Sequence, residues 1–159
     1  MYDGNPLEWA IRVCESIAFC VHCVIGISEP CCGIMKYVTE NSLICPNVFF
    51  PLAGVFLATV AYLNFSENDA VVLGAQFYIA AFHTGAVYTH LRVNHPPYAA
   101  GVPGVFILLA FIVITIRTNI FIAILGTAAS IVVGILLGTI FVRPKEMSPP
   151  LLHAGDEED

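Results

Sequence analysis

The chain has 159 residues, of which 58% are hydrophobic and only 11% charged, with a mean hydropathy of +0.83 and a net charge of −6. A water-soluble domain carries about 25% charged residues, so the composition excludes a surface covered wholly by water and puts lipid in place of the missing polar groups. A basic face for nucleic acid is excluded as well, since four of the twelve acids (Asp156, Glu157, Glu158 and Asp159) crowd the C-terminal tail and only six Lys and Arg are present.

In chain order, Met1 to Leu7 lacks the positive region of a cleavable signal peptide, so the first apolar segment is expected to remain as a transmembrane helix. Asn5-Pro6-Leu7-Glu8 reads as a helix start: Asn5 caps, Pro6 suits the first turn and Glu8 reaches back to the cap. The first span is expected over about 8–28, stopped by Glu29-Pro30, and is long enough for a core of about 30 Å. Residues 29–46 form the longest polar loop. The second span is expected over 47–64, with Pro51 setting where the helix proper begins.

After the acidic turn Ser66-Glu67-Asn68-Asp69, the third span covers about 70–91 and ends before His95-Pro96-Pro97. From Gly101 to Val142 the only polar break is Arg117-Thr118-Asn119. One helix of that length would run about 60 Å, so two spans are expected, about 97–116 and 119–142. The chain thus reads as an all-α polytopic transmembrane bundle over 1–143 with an acidic, proline-containing tail over 144–159. Arg12 and Arg117 fall at one end, and Lys36, Arg92, Arg143 and Lys145 at the other. The positive-inside rule then favours an external N-terminus. Asn64-Phe65-Ser66 matches a glycosylation sequon and, tight against the membrane, is taken as coincidence.

Two helices carry polar stripes. At about 100° per residue, Glu8, Arg12, Glu15, Phe19, His22 and Gly26 share one face of the first. An ionisable group in the hydrocarbon zone costs about 2.5–3.5 kcal/mol on insertion scales, so Glu15 and His22 are expected to face protein or water. A simpler reading pairs Arg12 with Glu15 near the interface. In the third helix Asp69, Gln76, His83 and His90 recur at seven-residue intervals. Measured from mid-span, Glu15 is level with Gln76 and His22 with His83. If the stripes face each other, three uses compete: a structural hydrogen-bond network, which is the preferred one; a small-molecule, quinone or proton site on Glu15, His22 and His83; and bis-histidine haem b ligation by His22 and His83.

Small residues mark a second kind of face. Gly74, Ala81 and Gly85 align on the third helix, and Gly126, Ser130, Gly134 and Gly138 repeat a small-xxx-small step along the fifth. Such a groove admits another helix closely, either within the bundle or from a partner subunit. Six cysteines are present (Cys14, Cys20, Cys23, Cys31, Cys32 and Cys45) and are read as apolar packing groups. Cys20-Val21-His22-Cys23 has redox-motif spacing, but on a helix its two thiols diverge by about 60°. No nucleophile–base pair, phosphate loop or glycosidase-type carboxylate pair is evident, which argues against hydrolysis.

Gly85-Ala86-Val87-Tyr88-Thr89-His90-Leu91-Arg92, followed by Pro96-Pro97, resembles the third-helix motif of the DoxX-like family of small four-helix membrane proteins. Gly26 and Gly54 resemble that family's glycines in the first and second helices. The likeness covers about Arg12 to Ile116. Many relatives carry a glutamate soon after the second-helix glycine, where this chain has Val55-Phe56-Leu57-Ala58, and the fifth helix is an addition. The resemblance implies a compact four-helix core; some members are linked to quinol oxidation or thiosulfate chemistry as accessory subunits, others to redox homeostasis or chaperoning. From the glycine ladder and the near-absence of a water-exposed domain, the function expected is a non-catalytic accessory subunit of a larger membrane complex, such as one of respiratory or photosynthetic electron transfer, with lipids and other transmembrane subunits as partners. The alternative is a small redox or transport protein with a quinone, haem or proton site on Glu15, His22, Gln76, His83 and His90.

Overall fold

The computed structural model describes residues 5–33 and 43–141. It is all-α, with five helices: α1 Pro6–Cys32, α2 Pro46–Leu63, α3 Asp69–Arg92, α4 Pro97–Arg117 and α5 Ile120–Phe141. All five are long and apolar enough to cross a membrane, which makes the protein an integral membrane protein. The tail at 144–159 and the Lys36, Arg143 and Lys145 used for orientation lie outside the described residues.

The helix ends follow local chemistry, with three differences from expectation. The Asn5 side chain accepts a hydrogen bond from the Leu7 N–H at 2.9 Å, but Glu8 does not turn back to the cap; it is buried and held by Arg12 at 2.8 Å and by Arg117 at 2.7 Å. Two guanidinium donors outcompete one backbone N–H for a carboxylate. Pro30 lies inside α1 rather than ending it. The helix closes one turn later at Gly33, whose φ of 61° is the left-handed conformation that frees its N–H to reach the Glu29 carbonyl at 2.9 Å. In α2 the first turn is set by Pro46, and Pro51 sits within the helix. Having no N–H, Pro51 leaves the Asn47 carbonyl without its intrahelical donor.

Between α3 and α4, Asn94 takes a positive φ of 58°, and the His95 N–H bonds the His90 carbonyl at 3.0 Å. Asn68 caps α3 through Ala70 N–H at 2.9 Å, and Asn119 accepts from Ile122 N–H at 3.0 Å as α5 begins.

α1 packs chiefly on α2, and α3 packs on both α4 and α5. The α1–α2 and α3–α5 contacts depend on glycine. A Cβ added to Gly54 would lie 3.0 Å from the Cys23 Cα, and one added to Gly26 would collide with the Phe50 carbonyl, so α1 and α2 cross backbone to backbone. Likewise a Cβ on Gly85 would lie 3.1 Å from the Gly134 carbonyl oxygen, and one on Gly138 would lie 2.9 Å from the Tyr88 ring. Gly126 receives the Phe77 ring, and Ser130 is buried in the same seam. The small-residue groove of α5 is thus filled by α3. Gly74 is the exception to the expected line: it is exposed and a Cβ there would touch nothing within 4 Å.

The core is formed by Phe19, Leu57, Val60, Ala61, Ala75, Ile79, Ala80 and Ala110, contributed by α1 to α4. The outward faces carry Tyr62, Phe121, Leu125 and Leu136, all exposed, as suits contact with acyl chains.

Candidate binding cavity and buried polar cluster

The polar stripes of α1 and α3 meet at two depths. The first lies toward the end of the bundle where α1, α3 and α5 begin. Glu15, Asn64 and Gln76 are each fully buried. Glu15 Oε2 accepts from Asn64 Nδ2 at 2.9 Å and from Gln76 Nε2 at 2.8 Å, and Gln76 Nε2 also donates to Asn64 Oδ1 at 2.8 Å. Glu15 Oε1 and Gln76 Oε1 are buried without a hydrogen-bond partner among the described residues.

Around this triad runs an ionic belt. Arg12 donates to Glu8 at 2.8 Å and through Nε and Nη2 to the Asn64 backbone carbonyl. Arg117 of α4 joins Glu8 of α1 at 2.7 Å to Asp69 of α3. Arg12 therefore grips Glu8, one turn back, rather than Glu15: helical side chains lean toward the N-terminus, which favours the i−4 carboxylate over one ahead.

The second depth is a cavity of about 600 Å³ nearer the opposite end, bounded by all five helices. That volume is within the range of about 300–1,000 Å³ common for small-molecule sites. His22, His83 and His90 all line it, together with aromatic walls from Phe49, Phe50, Phe82, Phe106 and Tyr98. His83 is almost fully buried. Its ring stacks on Phe106 at 4.7 Å between centroids and on Phe19 at 5.6 Å, and meets the edge of Phe82 at 5.4 Å.

Hydrogen bonding fixes which edge of each imidazole is available. His83 Nδ1 lies 2.8 Å from the Ile79 carbonyl, and His22 Nδ1 lies 2.9 Å from the Ala18 carbonyl. A carbonyl only accepts, so Nδ1 carries the hydrogen in both rings. In the neutral imidazole the remaining nitrogen, Nε2, is then an acceptor. Both cavity-lining rings therefore offer a lone pair rather than an N–H. His90 differs, because its Nδ1 is 2.8 Å from His95 Nδ1, so one of the two donates and the other accepts.

Of the residues singled out from sequence, Glu15 and Gln76 thus join in the polar triad, and His22, His83 and His90 share the cavity. In the sequence, Asn64 is marked only as a span end and part of a sequon, and Arg117 only as a span break and an orienting charge. A polar residue ending one span beside a polar start of the next was the available signal for Asn64. Phe106 and Tyr98 gave none, since an aromatic residue in an apolar run looks the same facing lipid or cavity. All six cysteines lie in the described residues as free thiols, Cys20 exposed and Cys23 half-buried. No group of three or more His, Cys, Asp or Glu able to hold a metal occurs among the described residues. Compared with protein-family models, with curated proteins and with solved structures, the chain gives no match.

Proposed function

We propose that the protein binds a lipid-soluble ligand bearing ring hydroxyls, of the quinol class, in the cavity bounded by the five helices. One observation carries this reading: His22 and His83 both line the cavity with Nδ1 tied to their own backbone, leaving two Nε2 acceptors. Acceptors in an apolar pocket select a ligand that donates, and flat aromatic walls select a ring. A quinol or related phenol meets both demands and reaches the site from the bilayer.

The DoxX-like resemblance forms part of this proposal. The residues quoted for it support it from two directions: Gly85, Ala86, Thr89 and His90 line the cavity, and Gly26 and Gly54 sit at the α1–α2 crossing. The accessory-subunit reading has less support than its sequence basis promised. Its groove on α5 is occupied by α3, and the remaining apolar outer faces suit lipid as well as protein.

The test is thermal unfolding of the detergent-solubilised protein with three probes: a short-chain benzoquinol, the matching benzoquinone, and the dimethyl ether of the quinol. Stabilisation by the quinol alone, lost in His83→Leu, supports the reading. Equal stabilisation by the ether, or none by any probe, counts against it. A Soret band in the purified protein, lost in His83→Ala, would instead assign the two Nε2 positions to a haem iron.

A further inference from the structure

We propose that Glu15 and Gln76 form a proton-binding site, independent of the cavity, in which Glu15 is held as a carboxylic acid. A carboxylic acid and a primary amide pair through two parallel hydrogen bonds, one N–H to O and one O–H to O. The first is present, Gln76 Nε2 to Glu15 Oε2 at 2.8 Å. The second needs a hydrogen between Glu15 Oε1 and Gln76 Oε1, and these are the two oxygens of the pair that are buried with no partner. With Glu15 as a carboxylate, both oxygens are acceptors and neither is satisfied. One proton on Glu15 Oε1 turns that oxygen into a donor, the kind of group that Gln76 Oε1 lacks.

The chemistry is a single step: a proton from bulk water bonds to Oε1 and the carboxylate charge is discharged, with nothing else made or broken. Asn64 is compatible with either state, since its Nδ2 donates to Glu15 Oε2 and its Oδ1 accepts from Gln76.

On its own helix, Arg12 acts on Glu15 through its positive charge and directs hydrogen bonds to Glu8 and to the Asn64 carbonyl. From α4, Arg117 bonds Glu8 and also Asp69 of α3. Both hydrogen bonds to Glu15 come from neutral amides of α2 and α3. Phe19 follows Glu15 by one turn and stacks on His83, so an aromatic ring stands between this site and the cavity.

Infrared spectroscopy of the full-length protein at neutral pH tests the assignment. The expected result is a carbonyl stretch of a protonated carboxyl group that disappears in Glu15→Gln and shifts in Gln76→Leu. Thermal unfolding gives a second readout. Glu15→Gln replaces the O–H donor with an N–H donor to the same Gln76 oxygen, so it should keep the wild-type midpoint while Glu15→Leu lowers it. A spectrum with no protonated-carboxyl band, a band that persists in Glu15→Gln, or a midpoint that falls as far in Glu15→Gln as in Glu15→Leu would overturn the proposal.

Discussion

Gly85 of α3 and Gly134 of α5 face each other so closely that a Cβ on the first would stand 3.1 Å from the carbonyl oxygen of the second. The contact is mutual, since a Cβ on Gly134 would meet the Gly85 nitrogen at 3.0 Å and the Thr84 Cβ at 2.6 Å. Without a hydrophobic drive between helices in lipid, this close packing is the main attraction holding α5 to the bundle. Gly134→Leu should therefore destabilise the protein by about 1–3 kcal/mol through overpacking, read as a lower unfolding temperature in detergent. Gly74→Ala is the matched control. Its position is open, and alanine is the better helix former by about 1 kcal/mol, so stability should hold or rise.

Glu8 accepts hydrogen bonds from two arginines on different helices, Arg12 and Arg117. Removing it in Glu8→Ala leaves two largely buried guanidiniums without that carboxylate. A loss of about 3–5 kcal/mol is expected, as for other buried pairs broken from one side. Chemical unfolding of the single and double variants measures it: if the coupling is real, adding Arg117→Ala to Glu8→Ala should cost much less than Arg117→Ala alone.

Asn64 lies in a glycosylation sequon but is fully buried, with its amide nitrogen committed to Glu15. Expression in a glycosylating host should yield protein whose gel mobility is unchanged by glycosidase. A shift would show that Asn64 reaches solvent before the bundle closes.

Cys31, Cys32 and Cys45 are exposed at the end of the bundle where α1 finishes and α2 starts. If the N-terminus is external, as the positive-inside rule favours, that end is cytoplasmic. A charged maleimide added from the cytoplasmic side should label these thiols and one added from outside should not, whereas Cys14 and Cys20, exposed within the span of α1, should stay unlabelled from both sides.

Phe106 stacks on His83 at 4.7 Å and so holds the ring in register with the cavity. Such a pair contributes about 0.5–1.5 kcal/mol beyond burial. Phe106→Ala should thus weaken binding of the benzoquinol probe by about 3- to 10-fold, measured by titration against thermal stability, with little effect on the polar triad at the other end.

What the sequence determined alone was the spanning character of the chain and the stripes on α1 and α3. Both are local properties: a long apolar run must leave water, and residues seven apart on a helix share a face whatever surrounds them. Proline positions were legible, but Pro30 and Pro51 fall inside α1 and α2 rather than bounding them. The tertiary structure decided the rest. It alone made Asn64 and Arg117 parts of one polar cluster, since the partners they join are 49 and 109 residues away. It gave the α5 groove to α3 rather than to another subunit, because only three-dimensional packing says which small face is already filled. And it set Glu15 beside Gln76 and gave His22 and His83 a common cavity, which is where the spanning bundle first noted from composition acquires specific chemistry.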